Sequence, residues 1–310
     1  MKIVLLGATG FAGKNVAELL EGNGYTVQKV SRQNGYDLRL LNANLEFIER
    51  YTPDVVINCA AHVGSLNYVT QLAADVLEDN SKMLLNLYEA IRQTNPSITI
   101  IQPLANCAYP ASATVYKEDE FWNGPIHSSV KSYGFTRRLM WTIADCFRTQ
   151  YGISSINLIT PNMYGPYDST DPNKAHALNA LISKFVKAIH TGQEQVEIWG
   201  TGAAVREWLF AADFAKVILA TLSELKHEKF VRPFNIAQEC GLSVKELVDL
   251  ILKYVPYKGK VWYNTDKPDG APRKVMDKAR FENVLPGFTF TSFQEGIKAT
   301  TAYYQSVYPY

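Results

Sequence analysis

The sequence has few cysteines, almost no net charge and no long apolar run, and each shortage excludes a class of protein. Its 310 residues include 31 basic and 30 acidic side chains, which gives a formal net charge of +1. No overall field therefore attracts nucleic acid or an anionic membrane. No segment approaches the about 18 consecutive apolar residues of a membrane-spanning helix. We expect neither nucleic acid nor a membrane as a partner.

The four cysteines are scattered and form no CxxC pair, so the sequence predicts neither a disulfide framework nor a zinc site. No group of His, Asp and Glu has the spacing of metal ligands, and we expect no metal. The first residues, MKIVLLG, lack the apolar stretch of roughly 7 to 15 residues that marks a signal peptide. We therefore expect a cytoplasmic protein with free thiols.

Short apolar runs alternate with helical patterns through the first 160 residues. The runs lie at 2–7, 26–31, 54–60, 98–103 and 153–159, and helical patterns between them include 14–22 and 81–93. This alternation predicts an α/β fold with a doubly wound parallel sheet of the Rossmann type. Further along, the pattern predicts helices over 175–190, 211–225 and 243–254, a strand over 233–237 and a loop over 267–274.

The stretch GATGFAG places Gly7, Gly10 and Gly13 directly after the first predicted strand and at the start of a helix. Glycines at this place let the backbone turn sharply and approach a pyrophosphate, which the helix N-terminus then holds. We expect a dinucleotide cofactor here, in contact with these glycines and with Thr9 and Phe11.

The residues after the second strand favour one dinucleotide over the other. NAD-binding proteins usually place Asp or Glu about 20 residues beyond the glycines, where it binds the ribose 2′-hydroxyl. Here Ser31 and Arg32 stand at that place, and a hydroxyl with a guanidinium suits a 2′-phosphate. We therefore predict NADP(H) rather than NAD(H), with Asp37 near the adenine. Three further predicted contacts follow the third strand: Ala60, Ala61 and His62.

Four more motifs add a resemblance to a known family. They are NCAAHVG (58–64), NCAYP (106–110), TPNMYGPYD (160–168) and WGTGAAVREWLF (199–210). With the glycine stretch, they make most of the first 215 residues resemble the extended short-chain dehydrogenase/reductases, within the NAD-dependent epimerase/dehydratase family. The chain looks most like the members that epimerise C3 and C5 and reduce C4 of a GDP-4-keto-6-deoxy sugar with NADPH.

The resemblance implies roles for individual side chains. Tyr133, in the stretch SYGFTRR, matches the Tyr that protonates the C4 oxygen. Arg137 stands where the family has a Lys that lowers the pKa of this Tyr and holds the nicotinamide ribose. Cys107 and His176 match the pair that moves protons at C3 and C5. The implied substrate contacts are Asn162, Lys184, Trp199 and Arg206, with Arg206 near the diphosphate.

Two positions depart from the family pattern. Ala105 occupies the place of a Ser, and Arg137 that of the Lys. Arg is a permanent cation, so Arg137 can keep the electrostatic part of the Lys role. The lost Ser hydroxyl removes a donor to the C4 oxygen, and such a loss typically costs about 10² to 10³ in rate. The side-chain amide of Asn106 is the candidate replacement.

Three functions stay open from the sequence. The first is an NADP(H)-dependent epimerase/reductase of a nucleotide-diphosphate 4-keto sugar, in which Cys107 and His176 act at C3 and C5 and Tyr133 acts at C4. The second is an enzyme that only epimerises, its reductase triad weakened by Ala105 and Arg137. The third is a non-catalytic, NADP-binding regulatory protein, which would need neither Cys107 nor His176. GDP as the nucleotide comes from the resemblance alone.

The predicted organisation has two parts. We expect an NADP-binding Rossmann domain over 1–165, to which 206–237 return, and a smaller α/β lobe for the nucleotide sugar from 166–205 and 238–310. The family's dimers predict a homodimer in which two helices, near 81–94 and 130–150, form a four-helix interface with their mates.

Overall fold

Helices and strands alternate along most of the chain. The computed structural model describes residues 1–171, 174–225, 227–267, 269 and 271–310. The strands are β1 Ile3–Leu6, β2 Val27–Val30, β3 Val55–Asn58, β4 Thr99–Ala105, β5 Val115–Tyr116, β6 Ser155–Thr160, β7 Asn162–Tyr164, β8 Gln195–Trp199, β9 Val205–Arg206, β10 Trp208–Phe210, β11 Phe234–Asn235, β12 Leu242–Ser243, β13 Lys260–Asn264 and β14 Arg273–Met276. The helices are α1 Phe11–Gly22, α2 Leu41–Tyr51, α3 Leu66–Gln71, α4 Ala73–Thr94, α5 Lys131–Tyr151, α6 Ala177–His190, α7 Ala211–Leu222, α8 Val244–Leu252, α9 Ala279–Val284 and α10 Phe293–Val307.

The main sheet is parallel and has six strands in the order β11-β6-β4-β3-β1-β2. Its central strands are apolar and buried along their whole length, as in β1 and β3, because helices cover both faces. One core joins the sheet to α2, α4 and α5, and another joins it to α1, α7 and α9. The predicted doubly wound α/β fold is confirmed.

The strand order reverses between β1 and β3, and ligands of such sheets bind in the crevice beyond the carboxyl ends of the strands at this point. The loops after these two strands carry the glycine stretch and the motif NCAAHVG. The fold therefore brings the two predicted cofactor motifs to one edge of the sheet.

A third core lies outside the main sheet and joins α6, α8, α10 and β8. Here β8 pairs in parallel with β13, and β7 pairs with β10. A separate four-stranded sheet has the order β12-β9-β14-β5 and joins distant parts of the chain. The boundaries of a smaller lobe at 166–205 and 238–310, with 206–237 returning to the first domain, stay a prediction.

Several predicted boundaries differ from the structure. Helix α1 begins at Phe11 rather than at residue 14, because its first turn includes a glycine that packing requires. Helix α4 begins at Ala73 rather than near 81, since its polar first turns extend beyond the apolar pattern. The predicted loop over 267–274 is wrong at its end, where Arg273 and Lys274 belong to β14. Pro268 and Gly270, within that predicted loop, lie outside the described residues.

In the described part of the chain, no helix has both the length and the apolar character needed to cross a membrane.

Candidate active site

The glycine stretch forms a cradle that only glycine fits. Gly7 has a φ of +70°, and a Cβ there would lie 2.7 Å from the backbone nitrogen of Ala60. A Cβ on Gly13 would lie 2.2 Å from the carbonyl oxygen of Gly7. The loop after β1 thus packs directly on the loop after β3, and Thr9 and Gly10 stay exposed at the N-terminus of α1. This exposed helix start is suited to a pyrophosphate.

The two residues predicted to bind a 2′-phosphate differ in their surroundings. The Ser31 side chain is buried, and its hydroxyl lies 3.2 Å from Oδ1 of Asn34, within a capped turn. Arg32 is exposed in the same turn, just beyond the end of β2. The geometry therefore leaves Arg32 as the group available to a ligand phosphate, while Ser31 shapes the turn.

Asp37 and His62 belong to one polar network. Arg39 donates to both oxygens of Asp37, from Nε at 2.9 Å and Nη2 at 2.6 Å, and these hydrogen bonds lower the pKa of Asp37. Arg39 also lies 3.2 Å from Asp79, whose carboxylate contacts Nδ1 of His62 at 2.9 Å. Nε2 of His62 lies 2.8 Å from the hydroxyl of Tyr68. Both ring nitrogens of His62 are thus engaged in holding the loop after β3, beside half-buried Ala60 and exposed Ala61.

Tyr133 and Arg137 lie one turn apart on α5 and are in contact. The guanidinium carbon of Arg137 is 4.6 Å from the centre of the Tyr133 ring, a cation–π arrangement. Arg137 is 3% exposed, and its Nη2 donates to Oδ1 of Asn80 on α4 at 3.1 Å. Its Nε–H is buried without a partner among the described residues. A buried, unpaired donor of this kind calls for an acceptor, and a ligand oxygen is a natural one.

The two influences on the Tyr133 hydroxyl oppose each other. Burial raises its pKa, the charge of Arg137 lowers it, and the result is above the ordinary value for Tyr. Arg137 therefore acts in the predicted direction but does not outweigh burial. Tyr133 keeps its proton at neutral pH, as a proton donor must.

Cys107 lies in a helical turn, Asn106–Ala108, directly after β4 and against the start of α5. A Cβ on Gly134 would lie 3.0 Å from the carbonyl oxygen of Cys107, so this glycine brings the Tyr133 helix close to the thiol. Burial raises the pKa of Cys107 to about 11, while the charges of Arg137 and Lys274 act to lower it. Asn106 is half-buried in the same turn.

Arg206 lies beside two residues that the sequence analysis missed, Lys274 and Tyr116. In the sheet β12-β9-β14-β5, Arg206 is in register with Lys274, and Tyr116 is in register with Met276. Burial lowers the pKa of both cations, and the charge of Arg206 lowers that of Lys274 further. Neither forms an ion pair with a described residue.

Two half-buried cations side by side, neither in an ion pair with a described residue, form a site for an anion, although the more distant carboxylate of Asp269 acts to raise the pKa of Arg206. Tyr116 stacks on Tyr109, whose segment follows Cys107, with ring centres 4.6 Å apart. Burial, then the Cys107 thiol, raises the pKa of Tyr116 to about 12, and Arg206 lowers it. These mutual influences show that the anion site and the thiol share one cluster, which we call the Cys107 cluster: Cys107, Tyr116, Tyr133, Arg137, Arg206 and Lys274.

His176, at the start of α6, is held by the carboxylate of Asp168. It caps the N-terminus of α6, and its Nδ1 lies 3.1 Å from Oδ1 of Asp168. Oδ2 of Asp168 accepts from the His176 backbone N–H at 2.8 Å and from Asn179 at 2.6 Å. Burial acts to raise the pKa of Asp168, but these hydrogen bonds outweigh it and the pKa is lowered. An ionised Asp168 favours the tautomer with hydrogen on Nδ1, which leaves Nε2 free.

The ring of His176 lies 5.3 Å from that of Phe11 in the glycine stretch. Among the described residues, no hydrogen bond joins His176 to the Cys107 cluster. The structure thus connects His176 with the predicted cofactor cradle and leaves its placement opposite Cys107 a prediction. Asp168 belongs to the motif TPNMYGPYD, but its role becomes visible only from these contacts.

The remaining predicted substrate contacts lie on or beside two short strands, with Trp199 and Lys184 at β8 and Asn162 at β7. Trp199 is 58% exposed, and the ammonium of Lys267 lies 5.5 Å from its ring centre. Lys184 on α6 donates to the backbone oxygen of Glu197 at 2.5 Å. Asn162 is exposed at the start of β7. Within the described residues, no three His, Cys, Asp or Glu side chains are grouped to hold a metal ion.

Comparison with known proteins gives a consistent result. A GDP-L-fucose synthase of Azorhizobium caulinodans is 30% identical over 98% of this chain and 96% of its own length. A GDP-L-colitose synthase of Yersinia pseudotuberculosis is 28% identical over 98% of both chains. A solved GDP-L-fucose synthetase of Naegleria fowleri bound to NADP shares the fold, with a TM-score of 0.87 over 99% of this chain and 94% of that one, at 24% identity. The model of the NAD dependent epimerase/dehydratase family matches residues 3–237, and the chain belongs to that family.

Proposed function

We propose that this chain is an NADP(H)-dependent epimerase/reductase acting on a nucleotide-diphosphate 4-keto sugar, most simply a GDP sugar. The observation that carries the proposal is the Cys107 cluster. It combines a protonated Tyr, a thiol and two cations that form no ion pair with a described residue, beyond the carboxyl ends of a parallel sheet. The relatives named as GDP-L-fucose and GDP-L-colitose synthases favour GDP.

The residues present fit NADP(H). Gly7, Gly10 and Gly13 would take the pyrophosphate, and exposed Arg32 would take the 2′-phosphate. Arg137 offers its unpaired Nε–H to a ribose hydroxyl. When bound, NADPH supplies the hydride for reduction.

Tyr133 would then donate a proton to the C4 oxygen. Burial keeps this proton in place, and Arg137 stabilises the tyrosinate that remains after transfer. Asn80 fixes the guanidinium at 3.1 Å, so that the cation stays over the Tyr ring. Ala105 ends β4 without a hydroxyl, and Asn106 is the neighbouring side chain that would assist the C4 oxygen.

Cys107 and His176 would invert C3 and C5. A C4 ketone makes the hydrogens at both neighbouring carbons acidic, and inversion needs one group to remove a proton and another to return it from the opposite face. Arg137 and Lys274 favour the thiolate of Cys107, while Asp168 orients His176 with Nε2 free. Arg206 and Lys274 would hold the diphosphate, with Asn162, Lys184 and Trp199 at the remaining substrate contacts.

One further candidate function has a specific observation in its favour. An enzyme that only epimerises would need no hydroxyl at position 105, and Ala105 provides none. A non-catalytic, NADP-binding regulator is disfavoured, because binding alone would not require the carboxylate that orients His176.

The test combines two readouts on one reaction. GDP-, dTDP-, UDP- and CDP-linked 4-keto sugars are incubated with the protein and NADPH in D₂O. We expect NADPH oxidation, followed by absorbance, and deuterium uptake at C3 or C5, followed by mass spectrometry, with the GDP sugar. Deuterium uptake without NADPH oxidation would instead support the epimerase. Neither signal with any of the four would contradict the proposed function.

We also propose a homodimer through α4 and α5. Both helices expose large apolar side chains: Leu77 and Leu85 on α4 are 38% and 47% exposed, and Phe135 on α5 is 52% exposed. Two copies would bury this face as a four-helix interface. Sedimentation at micromolar concentration should give a dimer, and Leu85→Glu should give a monomer. A monomeric wild-type protein would contradict the proposal.

A further inference from the structure

Glu207, which follows Arg206 in the motif WGTGAAVREWLF, is a buried carboxylate that the proposed mechanism does not use. It is 1% exposed. Its Oε1 accepts from the backbone N–H of Gln238 at 2.6 Å, and its Oε2 accepts from that of Met276 at 2.7 Å. Its own N–H donates to the carbonyl of Lys274 at 3.2 Å. One side chain thereby ties together β9, β14 and the segment that follows β11.

This carboxylate completes a strand pairing that is otherwise short. Strands β9 and β14 pair only at Val205–Arg273 and Arg206–Lys274. Beyond Arg206, the next N–H of β14, that of Met276, is taken by the Glu207 side chain instead of by a backbone carbonyl. Without this acceptor, Met276 would have a buried, unpaired donor at the end of a two-residue ladder.

The ladder that Glu207 completes is the one that sets the two cations of the anion site side by side. Arg206 directly precedes Glu207 and points to the other side of the strand, and Lys274 lies on the same side of β14 as Met276. The separation of the two cationic side chains therefore depends on how firmly β14 is held against β9.

We propose that Glu207 is a positioning residue, whose carboxylate holds β14 in the register at which Arg206 and Lys274 together bind the substrate diphosphate. The inference rests on the proposed function for the identity of the ligand. The contacts of Glu207 themselves do not depend on it.

Protonation of Glu207 gives the inference a pH signature. Burial raises the pKa of Glu207 to about 7, backbone N–H groups of Met276, Gln238 and Glu239 act to lower it, and the charge of Glu239 acts to raise it. Among the described residues, the charge that acts on it most is that of Glu239, in the segment after β11, and β14 contributes the Met276 amide. A protonated carboxyl carries no charge and donates from one oxygen, so it accepts the backbone N–H groups of Met276 and Gln238 more weakly, and a charge-assisted tether is lost.

Stability and ligand affinity should depend on the protonation of Glu207 with opposite signs. Since the folded-state pKa of Glu207 is above its unfolded value, the group's own contribution to stability is complete below that unfolded value and is lost as pH rises through about 7. Ligand binding, by contrast, needs the ionised form and should weaken as pH falls through about 7. A residue with a purely structural role would not make affinity and stability change in opposite directions.

The experiment measures the Kd of GDP-mannose by calorimetry between pH 6 and pH 8. This probe is a diphosphate diester, so its phosphates do not change their charge in the range. We expect the affinity of the wild-type protein to fall about tenfold from pH 8 to pH 6, because one charge-assisted hydrogen bond to the strand is lost. Glu207→Gln should bind about tenfold more weakly at pH 8 and show a flat profile, because its amide nitrogen faces a backbone N–H.

Asp213→Asn is the matched control. Asp213 is also 1% exposed and accepts a backbone N–H, that of Thr291 at 2.8 Å, but it lies on α7, away from β9 and β14. This variant should keep the wild-type affinity and pH profile.

A second variant leaves the tether in place. Glu239 is exposed, and Glu239→Gln removes the negative charge beside Glu207. The midpoint of the affinity profile should move to lower pH, which separates Glu207 from any histidine that titrates in the same range. An unchanged midpoint would overturn the inference, even where Glu207→Gln fails to fold. So would a folded Glu207→Gln with wild-type affinity and profile, whereas a wild-type protein that binds no GDP-mannose at any pH would overturn the proposed function.

Discussion

The Cys107 cluster and the His176–Asp168 pair prepare acid–base groups in different physical ways. In the cluster, burial raises the pKa of Cys107 and Tyr133; Arg137 moderates both shifts, and Lys274 moderates that of Cys107. At His176, a buried carboxylate 3.1 Å from Nδ1 fixes the ring. Under the proposed function, the first region would control when a proton leaves, and the second would control where the accepting nitrogen points.

The difference predicts two kinds of mutant phenotype. A change in the charges of the cluster should move the pH dependence of the reaction. A change at the Asp168 carboxylate should lower the rate, since orientation is lost while the imidazole remains. Variants in the Cys107 cluster and at the His176–Asp168 pair can show whether the two regions differ in this way.

The largest effect should come from the groups that transfer protons. Tyr133→Phe should lower NADPH oxidation by about 10² to 10⁴, because the C4 oxygen loses its proton donor. Deuterium uptake at C3 and C5 should persist in this variant, since it does not require reduction. Cys107→Ser and His176→Ala should abolish uptake. Unchanged NADPH oxidation in Tyr133→Phe, or unchanged uptake without both Cys107 and His176, would show that the site is assigned wrongly.

Asp168→Asn should have the next largest effect. We expect deuterium uptake to fall about 10²-fold with little change in KM, because the amide no longer fixes the ring of His176. Asp213→Asn, which changes another buried carboxylate, serves as the control for folding. A wild-type rate in Asp168→Asn would mean that His176 needs no orienting partner.

Substitutions at the two positions that depart from the family pattern should have unequal effects. Ala105→Ser should increase reduction by up to about 10², because it returns a hydrogen-bond donor to the C4 oxygen. Arg137→Lys should change the rate only a few-fold, since the charge is kept. Arg137→Ala should raise the pKa of Tyr133 further and move the alkaline limb of the pH–rate profile for reduction upward. A profile that does not move would exclude Arg137 as the electrostatic partner of Tyr133.

The smallest effect concerns the cofactor. Arg32→Ala should narrow the preference for NADPH over NADH about tenfold, because one charge-assisted contact to the 2′-phosphate is lost. Lys29→Ala is the control, since Lys29 is an exposed cation of β2 that pairs with Glu21. Fluorescence titration with both cofactors measures the ratio. Equal affinities of the wild-type protein for the two would contradict the prediction.

Local patterns in the sequence predicted the main sheet well. Strands such as β1 and β3 are continuous buried runs with enough residues to show their type, whereas β2 exposes Gln28 and Lys29 and β11 has two residues. Cys107 and Tyr133 are predicted from the family resemblance of their motifs, which lie directly after β4 and early in α5, and their roles stay a prediction.

The rest of the site depends on contacts between distant segments. Lys274 lies in a stretch that reads as a loop, and β5 and β9 have two residues each, too few for an alternating pattern. Only the pairing of β14 with both strands shows that Lys274 lies beside Arg206 and near Tyr116. The hydrogen bond from Arg137 to Asn80 likewise depends on the packing of α5 on α4. The sequence predicts Ser31 as a ligand contact, but it does not show that the Ser31 hydroxyl bonds to Asn34.

Gly134 has no functional group, yet it constrains how this enzyme can be redesigned. Any larger residue there would place its Cβ 2.8 Å from Ile126 and 3.0 Å from the Cys107 carbonyl. In a library of variants that covers every position, Gly134 should therefore accept as few substitutions as the proposed catalytic residues do. If α5 were transferred to a related enzyme, Tyr133 would keep its position only if the turn at Cys107 and the segment around Ile126 were transferred as well. The three segments therefore have to be exchanged together.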